Sequence, residues 1–302
     1  MRHERRWHDC IAHPAERTAV RAPVRRKVGW QRHRRWVLPV AGLFVALAFL
    51  WPYLVMLLNS LRPSSDVVQT PATILPRTWQ LSTYAQVLGD ERFLGWLRTS
   101  VLVAVTSTLI VILVSIPAAY FTARFRFPGR IAFLFLVLVT QMFSPTSLVV
   151  GLYREFFNLN LVNTYLALIL TNAAFNLAFA VWILHGFFSA IPKEVEEAAH
   201  LDGCGRLRTL LRIMLPLALP GVVTAIVFTF IAAWNEYVVA LTLMLDEGKK
   251  PLTVGITSYV TGYEQHWDQL FAASIFAIIP VVILFAFIEK HLVGGLTAGS
   301  IK

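Results

Sequence analysis

The residue types capable of chemistry are few in this sequence, and the one acid set deep in an apolar run is Glu236, in "AAWNEYVVAL" beside Trp234, Asn235 and Tyr237. A charge near the middle of a membrane span costs about 2.5–3.5 kcal/mol on insertion scales, so such an acid must face protein or water. An aromatic face next to hydrogen-bonding groups suits a sugar pathway, and suits equally a structural pairing with a neighbouring subunit. Asn172 and Asn176, four residues apart on one helical face, carry two readings as well: pore lining, or packing between helices. The other reactive residues form no constellation. His3, His8, Cys10 and His13 match no zinc spacing. Gly203-Cys204-Gly205 is followed by Arg208 where a dinucleotide fingerprint needs glycine. No G-x-x-x-x-G-K-S/T run occurs, so the chain has no P-loop for ATP. With no metal triad and no nucleophile elbow, the sequence reads as a protein that is not an enzyme and binds no cofactor of its own.

The composition sets these residues in a membrane. Of 302 residues 57% are hydrophobic and only 15% charged, with a mean hydropathy of +0.62, whereas soluble domains carry about 25% charged residues. The net charge of +10 comes mainly from residues 1–36, where eleven basic residues face three acidic ones. A basic arm directly before a hydrophobic run reads as a cytoplasmic anchor. Without aromatic platforms or a reader motif, nucleic acid is excluded as a partner. The arm lacks apolar periodicity and is expected to be disordered. Arg34-Arg35 precede a run too long for a signal-peptide core and without a small-residue cleavage site, so that run is a retained first span.

Six spans are expected: 37–58, 97–122, 131–152, 165–188, 217–245 and 270–293, an all-α polytopic domain over 37–293. With the N-terminus inside, twenty of the 27 Lys and Arg residues fall on the inner side, which puts both termini in the cytoplasm. The long outer loop 62–96 holds Pro63, Pro71 and Pro76, and offers Trp79, Tyr84 and Trp96 as interfacial anchors. Pro145 and Pro280 fall inside spans three and six, where prolines kink helices.

One stretch breaks the apolar pattern. The inner loop 189–216 contains "EVEEAAHLDGCGRLRTLLRIMLP". Pro192 and the acids Glu194, Glu196 and Glu197 suit a helix start, and Gly203 suits the position past its last turn. Ala198 and Ala199 leave a low surface that another backbone can approach. Leu207, Leu210, Leu211 and Met214 recur at helical spacing among Arg206, Arg208 and Arg212, as in a helix lying on the inner membrane surface. Periodicity alone leaves a well-capped solvated linker equally open.

The spacing Glu197-Ala198-Ala199, three residues, Gly203, nine residues, Ile213-Met214-Leu215-Pro216 resembles the EAA signature of permease subunits in bacterial binding-protein-dependent ABC importers. "NSLRPSSD", "AYFTARFRFPGR", "IPKEVEEAAHLDG" and "GGLTAGSIK" look like the carbohydrate branch, similar to the maltose importer's smaller membrane subunit. The resemblance covers residues 36–302, with departures at Thr99, where Asn is usual, and at Cys204, where Ala is common. It implies a type I importer permease fold whose loop docks on an ATPase subunit through Glu197, Ala198, Ala199, Asp202, Gly203, Ile213, Leu215 and Pro216. It further implies a second permease, two ATPase subunits that hold the ATP and Mg, an extracytoplasmic solute-binding protein, a sugar as cargo, and a tail (294–302) that also reaches toward the ATPase. Asn172, Asn176, Trp234, Asn235 and Glu236 are the expected pathway residues. A permease of the same machinery for another solute, and a self-contained secondary transporter, are the alternatives.

Overall fold

The computed structural model describes residues 28–67, 75–76, 78–261 and 265–297. The arm as far as residue 27, with its histidines and Cys10, and the last five residues of the tail lie outside that range. Among the described residues all regular structure is helical, apart from one isolated bridge between Val260 and Gln265. In chain order, α1 (Val28–Ser60) is followed by two short helices, α2 (Ser64–Val67) and α3 (Ser82–Gly89), and then by the long α4 (Glu91–Arg124). Next come α5 (Arg130–Thr140), α6 (Pro145–Asn158) and α7 (Tyr165–Ala190). The charged loop gives α8 (Lys193–Leu201), α9 (Arg206–Thr209), a π-helical turn (Leu210–Met214) and α10 (Leu215–Leu217). The chain ends with α11 (Leu219–Trp234), α12 (Val238–Leu243), α13 (Leu252–Gly255) and α14 (Trp267–Thr297).

Among the described residues, four helical stretches are long and apolar enough to cross a membrane: Pro39–Ser60, Glu91–Arg124, Tyr165–Ala190 and Trp267–Ile288. The other two expected spans are broken. α5 and α6 meet at 95°, and the helix from Arg206 to Leu217 meets α11 at 79°. The count is therefore four to six, according to whether each bent pair is one span. Pro145 does not kink a continuous third span; it stands at the first turn of a new helix, where a missing N–H is no loss. The expected fifth span, 217–245, stops at Trp234, passes three non-helical residues and resumes as α12. Pro280, by contrast, sits within an unbroken α14.

The chain divides after Pro52 into two units, and the bundle is the second, from Tyr53 onward. α4 is its axis: residues of α4 enter all three buried clusters. The buried line of α4 is made of small residues, with Ala104, Thr108, Val111, Ser115, Ala119 and Thr122 spaced three or four apart. In lipid there is no hydrophobic gain in joining helices, so close backbone approach along small residues holds them together. The hydroxyls on this line are satisfied locally: Thr108 donates to the Ala104 carbonyl and Thr122 to that of Ala118, while Ser107 reaches across to Ile169 of α7. The outer surface is apolar, with Leu113, Phe135, Val150 and Val282 exposed. Such a surface matches hydrocarbon rather than water.

The described parts of the outer loop are held to α14 by polar contacts. Asp268, in the first turn of α14, is buried and accepts from Ser64 of α2 and from Thr83 of α3, while its own amide donates to the Ser64 hydroxyl. Trp96 is not an interfacial anchor. It is buried in α4, its indole N–H donates to the Glu247 carbonyl at 2.9 Å, and its ring lies against Gly255.

Candidate functional site

The charged loop forms the helix that its residues predict. Pro192 precedes α8, Glu194 and Glu196 occupy the first turn, and Gly203 closes it at φ +78°. The Gly203 amide donates to the His200 carbonyl at 3.1 Å and the Cys204 amide to that of Ala199 at 3.0 Å. This pair of bonds is a Schellman motif, which needs a left-handed residue at that position. A side chain there costs about 1–2 kcal/mol.

α8 has two faces of opposite character. Ala199 and the Glu196 side chain point inward. The Tyr120 hydroxyl of α4 donates to Glu196 Oε1, and Arg124 Nε lies 3.3 Å from Glu196 Oε2. Arg124 Nη2 also donates to the Ile191 carbonyl, at 2.9 Å, at the point where α7 ends. The pair is largely shielded, with side-chain exposures of 5% for Arg124 and 13% for Glu196. Removing one partner of a shielded pair strands the other, at a cost of about 3–5 kcal/mol. On the opposite face Glu197, Ala198, Asp202 and Gly203 are exposed, beside a Leu201 that is 89% exposed. Leu207 and Leu211 follow, exposed, with Arg206 lying over the Phe125 ring.

Of the remaining signature residues, Ile213 lies half-buried in the π turn, Leu215 is half-buried and Pro216 exposed in α10. Pro216 has no N–H to offer the Arg212 carbonyl, and the Leu215 amide bonds instead to Leu210, five residues back. Pro220 repeats the deficit at the start of α11, and the chain turns between the two prolines. Ile213 to Pro216 thus lie just before the bend into α11. The sequence reading took Glu196 only as a helix-start acid and missed Tyr120 and Arg124. The available signal was Tyr120 and Arg124 at i and i+4 on one helix face, opposite an acid on the inner side of α8.

The expected pathway residues are only partly assembled. Among the described residues, the side-chain hydrogen bonds of Asn172 and Asn176 stay within α7: each donates to the carbonyl four residues earlier, that of Leu168 and of Asn172. Trp234 is buried, stacks on Phe230 and donates its indole N–H to Ala277 at 3.2 Å, so neither its face nor its donor is open to a solute. Glu236 is no mid-helix acid. It lies in the break after α11, where its carboxylate accepts from the amides of Val239 at 2.7 Å and Ala240 at 2.9 Å, capping α12. Asn172 and Glu236 do line one cavity, with Ser100, but it measures about 10 Å³, room for a single water-sized molecule. Asn235 alone of the five is exposed.

Residues 92–297 match the family described as binding-protein-dependent transport system inner membrane component. The chain belongs to that family. It is 34% identical over 255 residues to an inner membrane ABC transporter permease of Escherichia coli, covering 84% of this chain and 91% of that one. It is 35% identical over 273 residues to a trehalose/maltose transport system permease of Thermococcus litoralis, covering 89% and 97%. In three dimensions it resembles a chain of a bacterial ABC transporter involved in the import of alginate, with a TM-score of 0.75 at 24% identity, covering 89% of this chain and 99% of that one. The chain is thus an ABC importer permease, a membrane transport subunit rather than an enzyme, with several apolar helices to cross the membrane.

Proposed function

We propose that this permease carries a carbohydrate inward across the bacterial plasma membrane, delivered by an extracytoplasmic solute-binding protein and driven by ATP hydrolysed, with Mg, on two partner ATPase subunits. A second, related permease completes the pathway. Two relatives, the trehalose/maltose permease and a sulfoquinovosyl glycerol transport system permease of Agrobacterium fabrum, support the sugar class. In this reading both termini face the cytoplasm and α8 is the coupling helix. Glu197 supplies a charge-assisted bond to the ATPase, Ala198 and Leu201 a low apolar contact, and Gly203 with Asp202 the turn, while Ala199 seats the helix on the bundle. Ile213, Leu215 and Pro216 aim the loop. Among the pathway candidates Asn235 is the residue open to a solute, and Trp234 and Glu236 hold the break that presents it.

The observation that carries this reading is the two-faced α8: anchored inward by Glu196, it leaves the Glu197-Ala198 and Gly203 face open. Reconstituted complexes carrying Glu197→Lys or Gly203→Asp are expected to insert normally and to lose uptake of the transported saccharide. Wild-type uptake by either would overturn the docking role of α8. Uptake assayed across a panel of saccharides identifies the cargo.

A further inference from the structure

We propose that Glu196, Arg124 and Tyr120 are the positioning residues of transport, a joint through which movement of α8 is passed to α4; this rests on the docking reading above. Non-helical backbone bounds α8 at both ends. Before it, Ile191 and Pro192 are extended, with ψ of 130° and 144°. After it, Gly203 is left-handed. The orientation of α8 is therefore not fixed by continuous helix on either side, and its contacts with the neighbouring helices set it. Among the described residues, the hydrogen bond and the ion pair that join α8 to another helix both run through Glu196 and both lead to α4. Arg124 then meets the chain entering α8 as well, because its Nη2 holds the Ile191 carbonyl while its other edge faces Glu196. It also lies 3.9 Å from the Met214 sulfur in the π turn. One guanidinium therefore stands where the ends of α4 and α7, the body of α8 and the entry to α11 converge. α4 is in turn the helix shared by all three buried clusters, so a pull on it reaches the whole bundle.

The joint separates hydrolysis from movement. In the reconstituted importer, with hydrolysis and uptake measured together, Glu196→Gln is expected to lower the solute moved per ATP by about tenfold, within the range of ordinary coupling between sites. The ATPase subunits stay bound and hydrolysis persists. Tyr120→Phe, which removes one hydroxyl and leaves the ion pair, is expected to shift the ratio in the same direction by less, and Arg124→Lys to fall between the two. A wild-type ratio in assembled Glu196→Gln and Tyr120→Phe complexes overturns the joint, and so does a parallel loss of uptake and hydrolysis with the ratio unchanged. Failure of the ATPase to co-purify with Glu197→Lys tests docking instead, so the two readings fail separately.

Discussion

At the scale of single residues, the contrast between Glu196 and Glu197 is instructive. Adjacent, identical in type and equally acidic, they differ by 100° around the helix axis. One is locked to Arg124, and the other faces outward. A second residue-level contact is that of Trp96 with Gly255, where an added Cβ would lie 2.1 Å from the indole ring. Gly255→Ala is therefore expected to destabilise the purified protein by about 1–3 kcal/mol, the usual cost of overpacking, read as a lowered melting temperature in detergent. Asp90, at the start of α4, gives a pH test. Burial pushes its carboxyl up, but the Arg92 guanidinium and amide and the Tyr259 hydroxyl outweigh that and hold it below its usual range. A carboxyl depressed on folding stabilises at pH above its ordinary value and loses that contribution as pH falls through the lowered one. Stability measured on acidification should show this loss in the wild type and not in Asp90→Asn.

At the scale of elements, prolines and caps decide where helices stop. Hydropathy sees one apolar run through 131–152 and another through 217–245, because breaking a helix changes the backbone and not the polarity of the side chains. Pro145 and Pro216 are legible as helix breakers, but whether a proline kinks, breaks or is tolerated depends on what the freed carbonyls find nearby. Pro280 is tolerated; Pro145 is a start. The break at Asn235 has no proline, and it persists because Glu236 caps the next helix and Thr253 donates to the Glu236 carbonyl at 2.8 Å. Likewise α14 is tied to α2 and α3 through one carboxylate. Asp268→Ala should leave Ser64 and Thr83 without their acceptor and cost about 1–3 kcal/mol, measured as a loss of thermal stability with the helix content retained.

At the scale of the whole molecule, the bundle has a small-residue axis and a charged helix pinned to the end of it. Orientation is the molecular property that the docking role requires. In a Cys10→Ser background, a membrane-impermeant maleimide should label the half-buried Cys204 in inside-out vesicles and leave it unlabelled in right-side-out ones. Labelling from the opposite side would place α8 away from any cytoplasmic ATPase.

Composition and the spacing of Glu197-Ala198-Ala199, Gly203 and Ile213 to Pro216 were enough, by themselves, to place this chain in a membrane and in its family, because lipid demands long apolar helices and the signature is local in sequence. The helix α8, its start and its left-handed stop were equally local and equally legible. What tertiary structure decided was which candidates have partners already. Glu236 met amides three and four residues on, Trp234 met a carbonyl 43 residues away, and Glu196 met Tyr120 and Arg124 across more than 70 residues. Such pairings depend on how helices pack side by side, and a linear order of residues does not record that geometry.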